Sequence, residues 1–217
     1  MKILAVDTAL GACSVALLED GEVRAHIFEP MDRGHAERLA PMVEEAMKQA
    51  GADFASLDRL AVTTGPGTFT GQRVGLAFMR GLRLVLRVPL VGITTLQAMA
   101  AAAMQETGAT KAAAIHDARR DEAYLLLQDG EVIAQQPAVM PFAEAVTRIR
   151  AFGACALAGT GAPLTTLESD FPLSSIRQPD ALWVARLAQA RPAPATAPGP
   201  LYLRAPDAKL PGAKAIA

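Results

Sequence analysis

The sequence predicts an α/β protein built from two similar lobes, each with a mixed β-sheet flanked by helices. The first observation is an internal repeat, because ILAVDTALGACSVALLEDGEVRAH near the N-terminus resembles AAAIHDARRDEAYLLLQDGEVIAQ further along the chain. The aspartates of the two copies, Asp7 and Asp117, lie 110 residues apart (117 − 7). The second observation is the order of the patterns, which repeats as βββαβα. Antiparallel hairpins combined with strand–helix crossovers produce mixed sheets.

The elements of the first copy follow from local patterns. KILAVDT and CSVALLE are short apolar runs typical of strands, and Asp20-Gly21 is a strong hairpin signal. Apolar residues at helical spacing predict a helix over 35–50, RLAVTTG predicts a buried strand, and a second helix over 71–87 ends near Pro89. PLVGI predicts a further strand, followed by an alanine-rich helix.

Three segments follow from these patterns. We predict an N-terminal lobe over 1–107 and a degenerate C-terminal lobe over 108–190. The segment 191–217 begins with RPAPATAPGP, which cannot sustain a helix and predicts an extended connector followed by a tail.

Composition excludes several classes of protein. The 217 residues carry 21 Lys+Arg against 22 Asp+Glu, which argues against a primary nucleic-acid binder. No secretory signal and no apolar run long enough to span a membrane is present. Cys13 and Cys155 are too few for a disulfide framework, so we expect a cytoplasmic location and two small buried thiols.

Two facing lobes, each with an aspartate at its first hairpin, describe the actin-like ATPase and sugar-kinase architecture. In that fold the cleft between the lobes holds nucleotide phosphates, and the hairpin turns grip them. The glycine-rich stretch TTGPGTFTG fits neither a P-loop nor a dinucleotide fingerprint, since Gly71 is followed by Gln72 and Arg73.

Two clusters are candidates for contact with a nucleotide or a partner. Asp7, Thr8 and Ser14 occupy the first hairpin, and the alternative is a polar turn whose aspartate caps backbone amides. The mirror-image cluster in the second copy is equally open to a functional contact or a structural salt bridge, and it comprises Asp117, Arg119 and Glu122.

Five motifs together carry a more specific resemblance: DTALGACSVAL, GHAERLAPMVEEAM, GPGTFTGQRVGL, HDARRDEAY and PLYLRAP. In combination they resemble the bacterial TsaB (YeaZ) family, over nearly the whole chain from Ile3 to Pro206. The resemblance implies a subunit of the machinery that makes threonylcarbamoyladenosine beside the anticodon of certain transfer RNAs.

The family is paralogous to the catalytic subunit of that pathway, TsaD, which carries a His-x-x-x-His metal pair. Here Thr95 and Met99 stand at the corresponding positions, and neither replaces an imidazole ligand. The chain's histidines are His26, His35 and His116, with no pair at helical spacing. The resemblance therefore implies a non-catalytic subunit without a metal site. The alternative is an independent ATPase or small-molecule kinase of the actin-like fold.

The resemblance also implies a dimer surface on the two helices, shared with the catalytic paralogue or with a second copy of the chain. Glycines inside the second helix, Gly71, Gly75 and Gly81, predict clearance for a neighbouring helix, and Pro41 predicts a kink in the first. Gln72 departs from the leucine usual in the family. The predicted interface residues are His35, Leu39, Met42, Val43, Ala46, Met47, Gly71, Arg73, Gly75, Phe78, Met79 and Leu82.

The remaining expectations concern partners and cofactors. The resemblance implies TsaD and the ATPase subunit TsaE as partners, contact with transfer RNA that is indirect or weak, and no membrane. It implies no firm cofactor, and it leaves ATP or ADP at the interface with the catalytic partner open.

Overall fold

The chain folds into two mixed β-sheets with helices packed on their faces. The computed structural model describes residues 1–167 and 170–204. The first repeat contains β1 (Lys2–Asp7), β2 (Ala12–Glu19), β3 (Glu22–Pro30), α1 (His35–Gln49), β4 (Arg59–Thr63), α2 (Phe69–Leu86), β5 (Leu90–Ile93) and α3 (Thr95–Thr107). The second contains β6 (Lys111–Arg119), β7 (Glu122–Asp129), β8 (Val132–Pro141), α4 (Phe142–Phe152), β9 (Ala156–Ala158) and α5 (Ala181–Gln189).

Both sheets have the mixed topology that the repeat predicts. The first sheet has the strand order β3-β2-β1-β4-β5, in which β1, β2 and β3 are antiparallel and β1, β4 and β5 are parallel. The second has the order β8-β7-β6-β9, with β6 and β9 parallel. The second copy is shorter at this edge, because β9 is three residues long and Leu157 forms an isolated bridge with Leu173.

The hairpin between β2 and β3 forms where Asp20-Gly21 predicts it. Both residues have positive φ, 52° for Asp20 and 88° for Gly21, which is the conformation a two-residue hairpin loop requires. The corresponding turn between β7 and β8 contains Gly130 at a φ of 54°. The shared Asp-Gly-Glu-Val string therefore marks the same turn in both lobes.

The elements stack in layers around the two sheets. Helices α1 and α2 cover one face of the first sheet, where Met42 and Met79 pack on Leu4 and Val6 of β1. Helix α5 covers the opposite face of the first sheet, even though it belongs to the second repeat in the chain. Helix α3 packs on the second sheet through Met99, and α4 covers the outer face of that sheet.

The ends of the helices follow from their sequence. Thr68, Thr94 and Asp180 are the N-caps of α2, α3 and α5, and each side chain accepts a hydrogen bond from an amide in the first turn. Helix α2 ends at Leu86, and its C-cap residue Arg87 has a left-handed conformation two residues before Pro89. Helix α1 continues through Pro41, so the predicted kink does not divide it.

No helix in residues 1–167 and 170–204 has the length and apolarity needed to cross a membrane.

The extended segment after α5 is tied to both lobes by arginines. Arg59 donates to the carbonyl of Ala188 in the last turn of α5 and to that of Arg191 beyond it, and Arg80 donates to the carbonyl of Pro198. At its end, Arg204 forms an ion pair with Glu122 on the second lobe. Residues 191–204 thus contact the first lobe and, at Arg204, the second, and the predicted tail over 205–217 lies outside the described residues.

The apolar stripe of α1 lies in the core of the first lobe. Its side chains are between 0% and 3% exposed, as is Met79 of α2, and they contact the first sheet rather than solvent. They therefore cannot offer apolar surface to a second protein while the lobe stays folded. The six predicted interface residues that lie in this core are Leu39, Met42, Val43, Ala46, Met47 and Met79.

Met79→Ala is expected to lower the free energy of unfolding by about 2–5 kcal/mol, because it leaves a cavity in a fully buried site. Val85→Ala in the same helix is the matched control, since Val85 is 78% exposed and its truncation should change stability by less than about 0.5 kcal/mol. Urea unfolding at a concentration where the chain is monomeric measures both. Equal losses in the two variants would contradict the assignment of the inner and outer faces of α2.

Candidate functional site

The Thr8 side chain joins the first hairpin to α2. Its hydroxyl donates to the carbonyl of Gly71 at 2.7 Å and accepts from the amide of Gly75 at 3.0 Å. The amide of Thr68 donates to the carbonyl of Ala9 at 2.8 Å. The turn after β1 is therefore hydrogen-bonded directly onto the first turns of α2.

This contact explains the glycines of the loop and helix. A Cβ on Gly67 would overlap the carbonyl oxygen of Ala9, and one on Gly71 would overlap that of Thr8. A Cβ on Gly75 would lie 2.8 Å from the Thr8 hydroxyl oxygen. The clearance that the sequence predicts for a partner helix thus serves the chain's own hairpin at these positions, whereas Gly81 has open space around it.

Gln72 lies inside the lobe, not on the outer face of α2. The residue is 2% exposed, and its side chain lies beneath Gly65, where an added Cβ would be 2.6 Å from the Gln72 carboxamide carbon. Its Oε1 atom is buried without a hydrogen-bond partner. The departure from the family's leucine therefore affects the packing under the Gly65 turn.

Asp7 is a fully buried carboxyl group with one unsatisfied oxygen. Its Oδ1 accepts from the hydroxyl of Thr63 at 2.5 Å and from the amide of Ala9 at 3.2 Å, while Oδ2 has no partner. Desolvation raises the pKa of Asp7 to about 7, the two hydrogen bonds oppose that shift, and the nearby charge of Asp180 adds to it. The group is therefore only partly ionised at neutral pH.

The other polar groups of the first hairpin are also engaged inside the chain. The Ser14 hydroxyl accepts from the amide of Ala181 at 2.9 Å, in the first turn of α5. The amide of Gly11 donates to Oε1 of Gln178 at 2.9 Å. Thr8 and Ser14 are 1% and 0% exposed, so neither hydroxyl reaches the surface.

A polar cleft of about 730 Å³ separates the two lobes. Gly11 and Thr68 line it on the first lobe, and Asp117 and Arg119 line it on the second. Asp32 and Arg33 contribute opposite charges at its mouth, so the charged lining is balanced in sign. Asp7 does not line the cleft, although the sequence places it at the equivalent hairpin.

The second hairpin carries the mirror-image cluster at its tip. Oδ1 of Asp117 accepts from the amide of Arg119 at 2.7 Å, which is a local turn contact. Arg119 and the next two residues all have positive φ, between 56° and 62°. Glu122 forms an ion pair with Arg204, so this carboxylate is held by the chain itself.

Each histidine has a partner within the chain. His26 contacts Asp180 at 2.8 Å, which raises the pKa of His26, and His35 lies 3.0 Å from the carbonyl of Leu10. His116 lies 3.2 Å from the Thr160 hydroxyl, and burial lowers the pKa of His116 to about 4. Within residues 1–167 and 170–204 no group of three or more His, Cys, Asp or Glu side chains could hold a metal.

Thr95 and Met99, which the resemblance aligns with the metal ligands of the paralogue, lie inside the fold. Thr95 and Met99 are both 0% exposed at the start of α3, and the Thr95 hydroxyl donates to the carbonyl of Pro66 at 2.6 Å. Met99 packs on the second sheet. Neither side chain faces the cleft with a free donor atom.

A nucleoside triphosphate does not fit the first hairpin as the chain has it. Phosphate oxygens need hydrogen-bond donors, yet the amides of Ala9 and Gly11 and the hydroxyl of Thr8 all donate within the chain. The carboxyl of Asp7 is buried and cannot hold a cation in the cleft.

The outer surfaces of α1 and α2 expose small and apolar side chains to solvent. Leu84 and Val85 are 76% and 78% exposed. The α1–α2 face is defined here by exposed small and apolar residues, namely Ala36, Ala40, Ala77, Gly81, Leu84 and Val85. Of the predicted interface residues, Arg73 is exposed and His35, Phe78 and Leu82 are partly exposed beside this face.

Sequence reasoning missed several residues that shape this region. Leu84 and Val85 lie opposite the buried stripe of α2, so helical periodicity could have identified them. Gln178 and Tyr202 lie in irregular segments far along the chain, and Tyr202 stacks on Phe69 with a centroid distance of 5.8 Å. No local pattern signals such contacts.

Asp7→Asn is expected to change the pH dependence of stability. The folded pKa of about 7 lies above the unfolded value, so the native state binds more protons and the wild type loses stability as pH rises from about 4 to 7. The isosteric variant does not titrate at this position, so its free energy of unfolding should not fall over this range. The pH-dependent difference in free energy of unfolding between the two proteins should reach roughly 4 kcal/mol at pH 8. Urea unfolding of both proteins from pH 4 to 8 measures it, and a gap independent of pH would contradict a raised pKa.

Comparison with known proteins identifies sequence relatives. The family model described as TsaD, tRNA N6-adenosine threonylcarbamoyltransferase, matches residues 23–174. The tRNA threonylcarbamoyladenosine biosynthesis protein TsaB of Haemophilus influenzae is 35% identical over 205 residues, which cover 87% of this chain and 85% of that relative. The protein of the same name from Escherichia coli is 45% identical over 124 residues, covering 57% of this chain and about half (53%) of the relative.

Solved structures agree with these relatives and confirm the predicted actin-like ATPase and sugar-kinase fold. The activator of 2-hydroxyisocaproyl-CoA dehydratase from Clostridium difficile, with bound ADPNP, shares the fold alone, with a TM-score of 0.52 at 10% identity over 87% of this chain and 94% of that chain. A Pseudomonas aeruginosa protein described as similar to peptidase YeaZ is 35% identical, with a TM-score of 0.82 over 94% of this chain and 99% of that chain. The chain therefore belongs to the TsaB (YeaZ) family of tRNA threonylcarbamoyladenosine biosynthesis proteins.

Proposed function

We propose that this chain is a non-catalytic subunit that pairs with the catalytic paralogue TsaD through the α1–α2 face. The pairing stabilises or activates the paralogue and so supports threonylcarbamoyl transfer to the adenosine beside the anticodon of transfer RNA. The observation that carries the proposal is the exposure of Leu84 and Val85 on a helix whose other face is core.

The shape of the α1–α2 face supports a helix-on-helix contact. Ala77 and Gly81 lie four residues apart on the exposed side of α2, and no atom lies within 4 Å of a Cβ built on Gly81. A partner helix can approach such a small-residue surface closely. Leu84 and Val85 then lie at the edge of the contact, where their burial gives the apolar contribution.

The charges of the two helices support the same pairing. Helix α2 contains Arg73, Arg80 and Arg83 and no acidic residue. Helix α1 contains three glutamates, Glu37, Glu44 and Glu45, against Arg38 and Lys48. A second copy of this chain that packs its α1 against this α2 would meet opposite charge, and a paralogue with the same charge distribution on its α1 would do the same.

The residues available for catalysis support a non-catalytic role. The three histidines are engaged within the chain, and Thr95 and Met99 are buried where the paralogue carries its metal pair. The polar groups of the first hairpin likewise contact the chain itself. We therefore assign the transfer chemistry to the paralogue.

The wider assembly follows from the same pathway. The ATPase subunit TsaE is proposed as a further partner, and a homodimer uses the α1–α2 face when the paralogue is absent. Contact with transfer RNA is indirect or weak, in keeping with a net charge of −1.

Leu84→Asp is expected to weaken association with the purified paralogue at least about tenfold, because it places a charge in an apolar contact. Val132→Asp is the matched control, since Val132 is a 67% exposed aliphatic residue on the second lobe. Titration of each variant against the paralogue measures the dissociation constant, and modification of transfer RNA should fall in parallel for Leu84→Asp alone. Equal affinity of the two variants would refute the assigned face.

Substitutions inside the lobe cannot replace this experiment. An arginine at Gly75 would collide with the Thr8 hydroxyl, and a glutamate at Met42 would introduce a charge into a fully buried site. Both changes should unfold the lobe, so a loss of association would not identify a surface.

The independent ATPase or kinase is the rival function, and its sharpest test is turnover. We expect the isolated chain to hydrolyse no more ATP than the Asp7→Asn variant, because Asp7 is buried away from the cleft. Phosphate release measured with each protein alone and with magnesium checks this. Turnover that depends on Asp7 would favour the rival.

A further inference from the structure

We infer that the side chain of Gln178 closes the first hairpin to phosphate groups, and that the cleft between the lobes does not hold a nucleoside di- or triphosphate. The inference goes beyond the pairing function and does not depend on it. It concerns the site at which the actin-like fold leads one to expect a nucleotide.

Gln178 already accepts the hydrogen bond of the Gly11 amide, which a phosphate bound at this turn would need. Its Oε1 accepts from the amide of Gly11 at 2.9 Å, at the tip of the turn between β1 and β2. The carboxamide also lies directly against the glycine, since a Cβ on Gly11 would be 3.0 Å from the Gln178 Nε2 atom. An incoming anion must therefore displace a formed hydrogen bond and a packed side chain.

The segment that carries Gln178 is held from both sides. Before it, the amide of Gly159 donates to the carbonyl of Ile176 at 2.8 Å. After it, Asp180 caps α5 by accepting from the amide of Leu182 at 2.8 Å. The position of Gln178 is therefore determined by the second lobe and by α5, and its contact with Gly11 joins these elements to the first hairpin.

The other polar groups of the first hairpin are not available to bind phosphate or magnesium either. The Thr8 hydroxyl is bonded to α2 and the Ser14 hydroxyl to α5. Asp7 is 0% exposed and does not line the cleft, so its carboxyl group cannot contact a magnesium ion held there. The polar groups of the hairpin thus connect β1 to α2 and α5 by hydrogen bonds within the chain.

The charge of the cleft does not favour a polyphosphate. Arg33 and Arg119 line it, but Asp32 and Asp117 line it as well. A triphosphate carries several negative charges and needs a surplus of cations or a bound metal. A nucleotide at the partner interface would therefore have to be held by other groups.

Amide hydrogen exchange at Gly11 tests the inference directly. In Gln178→Ala the Gly11 amide loses its acceptor and should exchange at least about tenfold faster than in the wild type. Gln178→Glu keeps an accepting oxygen and should retain slow exchange. Gln189→Ala is the matched control, because Gln189 lies near Gly21 of another hairpin, at 3.7 Å from a Cβ built there.

The second arm of the experiment titrates the wild type with magnesium plus ADP or ATP while the Gly11 amide resonance is followed. We expect no saturable shift up to millimolar nucleotide. A saturable shift of Gly11 in the wild type would overturn the inference. Unchanged Gly11 exchange in folded Gln178→Ala would also overturn it, since Gln178 would then not be the group that holds the hairpin.

Discussion

The close contact between the first hairpin and the N-terminal turns of α2 determines much of the first lobe. The Thr8 hydroxyl bonds to both Gly71 and Gly75, and the carbonyl of Ala9 accepts from Thr68. Only glycines allow this approach, because a Cβ on Gly71 or Gly75 would collide with Thr8. The glycine-rich stretch therefore resembles a phosphate loop in composition while serving as a packing surface for the chain itself.

This contact between the first hairpin and α2 determines which face of α2 packs on the sheet and which faces solvent. With Gly71, Gly75 and Met79 turned towards the sheet, Leu84 and Val85 must face solvent at the far end of the helix. The extended segment 191–204 covers one flank of α2 through Arg80 and Tyr202. The α1–α2 face stays exposed, and this is why the proposed function is a pairing one. The polar groups of the first hairpin bond within the chain, whereas Leu84 and Val85 of α2 face solvent.

Local sequence patterns predict the strands and helices because turns and side-chain periodicity depend on neighbouring residues in the chain. The internal repeat, the Asp-Gly hairpins and the helical stripes correspond to the strands and helices of both lobes. The sequence predicts the apolar stripe of α1 as interface, and in the structure this stripe packs on the first sheet, because an apolar stripe has the same period whether it faces a sheet or a second protein. Leu39 and Met42 proved to be core, and periodicity alone could not distinguish the two outcomes.

The candidate site depended on contacts that no local pattern encodes. Gln178 meets Gly11 across 167 residues of chain, and Arg204 meets Glu122 across 82. Asp7 was correctly placed at the first hairpin, and its hydrogen bonds to Thr63 and Ala9 match the polar-turn alternative more closely than a phosphate grip. Burial decides between these roles, and burial follows from the packing of α5 on the first sheet.

We propose that the chain acts through its α1–α2 face and not through its cleft. Hydrogen–deuterium exchange of the chain with and without the catalytic paralogue tests it most directly, because the method follows both regions in one sample. We expect new protection in peptides that cover 36–44 and 77–85, with unchanged exchange around 8–14 and 116–122. Protection confined to the two hairpins, with α1 and α2 unchanged, would contradict it.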